Sequence, residues 1–119
     1  MTDEVLIHRG HIMVRRLRLA PGEAMPWHRD PFQRIALVLY GDTLEIEYRD
    51  GGQSNVIHIS PGQVEWEEPT ERVHRAVNVG EQPYEQVTVF LLDQPDAVPQ
   101  PSMREGTFSA KELLVSVWM

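Results

Sequence analysis

Gly22–Gly41, GEAMPWHRDPFQRIALVLYG, is the stretch whose reading decides the fold. A glycine opens it, and Trp27, His28 and Asp30 follow. The run Ile35–Tyr40 is nearly all apolar, and a second glycine closes the stretch. Pro31 rules out a long helix here. Arg34–Tyr40 reads as a strand, ended by a turn at Gly41-Asp42. One later stretch answers it, Pro69–Asn78, PTERVHRAVN, which carries His74 and Asn78. The rest of the chain reads as the scaffold that brings these two together.

Working outward, Val5–His8 and Ile12–Leu19 read as strands. In the second, Val14, Leu17 and Leu19 are mixed with Arg15, Arg16 and Arg18, an imperfect alternation that predicts a bulge near Arg15 and Arg16. Ala20-Pro21-Gly22 and Ser60-Pro61-Gly62 are matching turn signals. Leu44, Ile46 and Tyr48 alternate with Glu45, Glu47 and Arg49, the pattern of a strand with one wet face. Asp50-Gly51-Gly52 makes a hairpin turn, and Val56–Ile59 is the return strand. Val64 and Trp66 alternate with Gln63, Glu65 and Glu67; Glu68-Pro69-Thr70 then breaks the chain. Val73–Val79 is a further strand. Tyr84–Leu92 is apolar on both faces, so both faces are expected to be covered. Asp93–Ser102, with Pro95, Pro99 and Pro101, reads as an extended arm. Beyond it, Ser109–Glu112 resembles a helix start and Leu114–Trp118 a final strand. Seven to nine short strands, spaced about ten residues apart with Pro-Gly turns, predict an all-β sandwich or barrel.

At 119 residues the chain is long enough for one domain with its own core. It has no cysteine, which excludes a disulfide framework, a thiolate zinc site and a cysteine nucleophile. A net charge of −7 argues against non-specific nucleic-acid binding. The N-terminal MTDEVLIHRGH has neither a basic start nor a long apolar run, so no signal peptide is expected. No stretch approaches a membrane span. The expectation is a cytoplasmic protein with neither nucleic acid nor membrane as partner.

With the strands laid out, Gly22–Gly41 resembles the first cupin motif: glycine, five residues, His-x-His, three or four residues, Glu, six residues, glycine. Here Gly22 is followed by five residues, His28, one residue, Asp30, three residues, Arg34, six residues and Gly41. The second cupin motif ends Pro-x-Gly, two residues, His, three residues, Asn; this chain has Pro69, Thr70, Glu71, two residues, His74, three residues and Asn78. The resemblance covers roughly residues 12 to 92, and among cupins it is to the small single-domain group that includes β-alanine-degradation-type proteins. It implies a double-stranded β-helix, a jelly-roll-like barrel closed around a pocket. In the family, two histidines and the glutamate of the first motif, with the histidine of the second, hold a metal. By position, His28 and His74 match family histidines. Asp30 replaces the other histidine, Arg34 the glutamate, and Glu71 the second motif's glycine.

Three readings of the site stand side by side. In the first, the metal site is degenerate and the pocket holds a small polar or carboxylated metabolite. Arg34 then clamps the carboxylate, and His28 and His74 serve as acid–base or hydrogen-bonding groups. In the second, His28, Asp30 and His74 form a two-histidine, one-carboxylate triad for a dioxygenase or isomerase. In the third, the pocket is a vestigial polar network in a non-catalytic binding or assembly module. The cofactor is accordingly one divalent metal (Fe, Mn, Ni or Zn) or none, and whether the protein is an enzyme stays open. Tyr40 shares the parity of Arg34, Ala36 and Val38 and is expected deep in the barrel; Trp66 is expected to line the pocket. His8, His11 and His58 are expected at the surface, and Trp27 facing away from His28. Residues 1–93 are expected to form the barrel. Residues 94–119, the arm and apolar tail, are expected to pack on the barrel or on a partner subunit of a homodimer.

Overall fold

The computed structural model describes residues 1–100. The expected helix start and final strand after residue 108 lie outside the described residues. Nine strands make up the described chain: β1 (Thr2–Arg9), β2 (Ile12–Leu19), β3 (His28–Asp30), β4 (Gln33–Tyr40), β5 (Thr43–Tyr48), β6 (Asn55–His58), β7 (Val64–Glu67), β8 (Thr70–Asn78) and β9 (Tyr84–Leu91). They form a five-stranded sheet in the order β1-β2-β9-β4-β7 and a four-stranded sheet in the order β3-β8-β5-β6, with every strand pair antiparallel. No helix among the described residues is long and apolar enough to cross a membrane.

Alternation decides the inner faces. On β2, Met13, Arg15, Leu17 and Leu19 are all buried, so the alternation is unbroken and an arginine takes an inner position. The bulge expected near Arg15 and Arg16 is therefore not in β2, which pairs with β9 without interruption from Ile12↔Leu91 to Leu19↔Tyr84. The extra residue lies on the edge strand β1, at Leu6, opposite the step from Arg15 to Val14. Edge strands accommodate such an insertion readily, since only one ladder is disturbed.

Leu17, Leu19, Val38, Leu44, Ala76 and Tyr84 form one core cluster. A smaller cluster gathers Met13, Phe90 and Leu92, with Phe32 and Ala97 packed against it. Between them, a cross-strand row of inner positions is partly polar: Arg15 pairs with Thr88, Thr88 with Ala36, and Ala36 with Glu65.

The two quoted stretches are joined through backbone. Gly22 N donates to Asn78 O, Asn78 N to Glu23 O and Met25 N to Ala76 O. Gly22 has φ 87°, a left-handed conformation that favours glycine. Asn78 is almost wholly buried; its Nδ2 donates to Leu19 O (3.0 Å) and Gln82 O (2.9 Å), and its Oδ1 accepts from Gly80 N (3.0 Å). One side chain thus fixes the ends of β2 and β8 together. Of the expected arm, residues 94–100 have no regular structure and fold back on the barrel; Pro99 is fully buried and its carbonyl accepts from Arg15 Nη1 at 2.8 Å.

Candidate functional site

His28 on β3 and His74 on β8 are directly opposed in the antiparallel pair, and their rings lie 4.7 Å apart. Asp30, two residues after His28, shares its face. The β3–β8 register is irregular between His28 and Asp30, so that Asp30 pairs with Thr70, while its side chain reaches His74. Arg34 reaches the same point from β4 in the other sheet. One oxygen, Asp30 Oδ2, is the meeting place: His74 Nε2 lies 2.8 Å from it, His28 Nε2 3.4 Å and an Arg34 Nη2 3.4 Å. His28 and Asp30 are buried, with His74 and Arg34 less so.

Main-chain carbonyls orient both rings. His28 Nδ1 donates to Pro26 O and His74 Nδ1 to Arg72 O, each at 2.8 Å. A carbonyl only accepts, so each Nδ1 carries hydrogen and each Nε2 faces the carboxylate. With Nε2 also against the Asp30 carboxylate, both His74 nitrogens face acceptors, an arrangement that favours the imidazolium. The hydrogen bond to Asp30 indeed raises the His74 pKa above its ordinary value, against the opposing effect of burial. Burial would push the Asp30 carboxyl up, but hydrogen bonding to His28 and His74, with the charges of His28 and Arg34, holds it well below the usual carboxylate range. Glu67, opposite Arg34 across β4 and β7 and 3.8 Å from it, is raised by partial burial, with the Arg34 charge pulling the other way.

These groups face a cavity of about 460 Å³, within the range of small-molecule sites. Its lining also includes Asp3, Arg15, Tyr84, Gln86, Thr88 and Glu65. The sequence reading did not single these out as site residues. The signal for Arg15 was present, since it lies two residues before Leu17 and four before Leu19; a strict parity count along β2 puts it inside.

Two expected lining residues lie elsewhere. Tyr40 is 62% exposed, because β4 carries an extra residue, Leu39, between the pairs Val38↔Gln86 and Tyr40↔Glu85. That bulge breaks the parity count, and Tyr84 supplies the buried phenol instead. Trp66 is 53% exposed and its Nε1 donates to Gln33 on the outer face. Opposed residues share a face, so the pairs Arg34↔Glu67 and Ala36↔Glu65 turn the glutamates inward, and Ile35↔Trp66 turns the indole outward. His8, His11 and His58 are exposed. Trp27 lies under the Arg75 guanidinium, 4.4 Å from it.

His28, Asp30 and His74 present one ligand atom each, all within 4.8 Å of one another. Ring nitrogens tethered through Nδ1 are the arrangement that metal-ligating histidines adopt. The fourth family position does not fit a dication. Arg34 cannot coordinate, and its Nη1 is held by Phe32 O (3.2 Å) and Glu68 O (3.3 Å). Its charge already occupies the cation's place beside Asp30, and each unit of positive charge brought to within 4 Å of it costs about 4 kcal/mol in a partly buried setting.

No protein-family model matches the sequence, and no curated protein matches it. Solved structures do. A cupin domain from Bordetella pertussis Tohama I superposes with a TM-score of 0.67 at 20% identity, covering 76% of this chain and 91% of that one. A protein with a double-stranded β-helix domain from Klebsiella pneumoniae subsp. pneumoniae MGH 78578 gives 0.59 at 24% identity, covering 76% and 75%. DMSP lyase from Ruegeria pomeroyi DSS-3 gives 0.58 at 16% identity, covering 82% of this chain but 49% of the lyase. At these identities the likeness is one of fold, and it gives no support to the finer β-alanine-degradation grouping.

Proposed function

From the double-stranded β-helix of a small cupin as premise, we propose that this protein binds a small carboxylate-bearing metabolite inside the barrel. The observation that carries this reading is the convergence of His28, His74 and Arg34 on the single oxygen Asp30 Oδ2. Arg34 and His74 form the cationic side of the cavity, with Asp30 between them raising the His74 pKa through its hydrogen bond. Burial raises the Glu67 pKa, against the Arg34 charge. An anionic group of a ligand pairs with the Arg34 and His74 side. The Arg34 Nη2 edge, which stands 3.4 Å from Asp30 Oδ2, is the part of the guanidinium that pairs with a ligand carboxylate. His74 is the group able to give a proton to a bound molecule, with Asp30 orienting it and stabilising the imidazolium.

The test is thermal unfolding of the full-length protein with a series of small carboxylates. A bound carboxylate at a hundredfold excess over its dissociation constant adds about 2.7 kcal/mol of stability. The expected result is a melting temperature raised by several degrees for at least one carboxylate, with the shift abolished in Arg34→Ala. A shift that persists in Arg34→Ala sinks the clamp.

A second reading is favoured by the Nδ1 tethers, which aim both Nε2 atoms at one point. In it His28, Asp30 and His74 would hold a divalent cation, which would supply Lewis acidity to the pocket. Metal analysis of protein purified without a histidine tag separates the two. Stoichiometric metal that is lost in His28→Ala and His74→Ala favours the second reading. Metal bound only after Arg34→Glu favours the first.

A further inference from the structure

Asp3 is a second aspartate in the cavity wall, and it makes no hydrogen bond to the His28–Asp30–His74 cluster. It enters from β1 opposite Leu17, on the inner side of the edge strand. Its side chain is only 3% exposed, and it lines the cavity. Neither of its oxygens receives a hydrogen bond among the described residues. The nearest cation is Arg15, whose Nη2 stands 3.5 Å from Oδ2, outside good hydrogen-bond geometry. The Arg15 Nη atoms donate instead to Pro99 O and Gln100 O. Buried carboxylates ordinarily accept hydrogen bonds; the Arg15 charge at 3.5 Å offsets only part of the solvation that Asp3 loses.

The neighbouring wall complements it. Along β9, Tyr84 Oη donates to Gln86 Oε1, and Gln86 Nε2 donates to Thr88 Oγ1 at 2.6 Å. The chain is oriented, so the Thr88 hydroxyl keeps its own proton to donate beyond it. Thr88 is the direct cross-strand partner of Arg15. An acceptor at Asp3 and a donor at Thr88 therefore flank Arg15 on the sheet that faces His28 and His74.

We infer that Asp3 is a recognition residue that accepts a hydrogen bond from an N–H or O–H group of the bound molecule. Resting on the carboxylate reading above, this makes the ligand bifunctional: an anionic end at Arg34 and a hydrogen-bond donor at Asp3. The donor satisfies a carboxylate that the fold leaves unsatisfied. A ligand without one leaves Asp3 buried without that hydrogen bond, and the site discriminates against it for that reason.

Calorimetric titration of the full-length protein tests this with straight-chain carboxylates from propanoate to hexanoate. Each is used unsubstituted and with a terminal hydroxyl or amino group. A hydrogen bond to a charged group predicts that, at the chain length that reaches Asp3, the substituted probe binds about tenfold tighter or more. In Asp3→Leu, which has no acceptor, that preference falls to about twofold or less, while the unsubstituted probe keeps its affinity. Equal binding of substituted and unsubstituted probes at every length in the wild type overturns the inference. So does a preference that survives Asp3→Leu. If no carboxylate binds, the Arg34 reading fails, and the neutral α,ω-diols of the same lengths decide Asp3 alone. Diol binding lost in Asp3→Leu upholds its role; diol binding retained there, or no diol binding at all, overturns it.

Discussion

Asp30 sets the chemistry of the cluster, since a single oxygen receives two imidazoles and a guanidinium. Its effect on pH dependence has two sides. The folded pKa of Asp30 is depressed, so its stabilisation is present above the ordinary value of 3.8 and is lost as pH falls below it. The folded pKa of His74 is raised, so its stabilisation is complete below the ordinary value of 6.5 and is lost as pH rises through the folded value. Stability against pH is therefore expected to crest between these two values and to decline on both sides, as urea midpoints across the range will show. In Asp30→Asn, the His74 titration followed by NMR is expected to shift down toward 6.5. The substitution costs about 3 kcal/mol or more, because it leaves buried cations without their counter-charge. An unchanged His74 midpoint would show that the imidazole takes its proton for some other reason.

At the scale of the element, β4 and β7 together decide what faces the ligand. Direct opposition turns Glu65 and Glu67 toward the cavity and Trp66 away from it. Trp66→Ala is thus expected to leave carboxylate affinity within about twofold, for want of any contact with the site, whereas Glu67→Gln alters it through Arg34. Calorimetry with the best-binding carboxylate checks both. The end of β4 is shaped by the Leu39 bulge and by Gly41, at φ 137°. A Cβ there would meet Tyr84 Cδ1 at 2.8 Å and Tyr84 Cα at 3.5 Å. Gly41→Ala should therefore destabilise the fold by about 1–3 kcal/mol, read as a lowered denaturation midpoint, since both strain and overlap act at one position.

For the whole molecule, the outer face of the five-stranded sheet is the feature the isolated chain leaves unexplained. Val87, Val89 and Leu91 of the central strand β9 are half-buried there, beside Ile35 and Leu37. Trp66 and Val64 are 53% and 61% exposed on β7, and Ile12 is 38% exposed on β2. A run of apolar residues across neighbouring strands is unusual on a free surface. Light scattering is expected to give twice the chain mass of 13.7 kDa for the full-length protein, and the single chain mass for Val89→Arg. A wild-type monomer would refute the homodimer.

The two quoted stretches determined a good deal by themselves. Strand periodicity and Pro-Gly turns established an all-β chain. Residues two apart on a strand share a face whatever the strand pairs with, which put His28 with Asp30; that Arg34 and His74 join them was implied by the resemblance of the spacing to the cupin motifs. Tertiary structure alone decided which face is inner where the local pattern is broken or ambiguous. Leu39 adds one residue to β4 and moves Tyr40 outside. The partner strand, not the composition of VEWE, turns the β7 glutamates inward. Asp3 becomes a buried carboxylate only because the edge strand β1 pairs beside β2 and sets Asp3 opposite the inward Leu17. Strand pairing and bulges are non-local properties, and one inserted residue reverses every side chain beyond it.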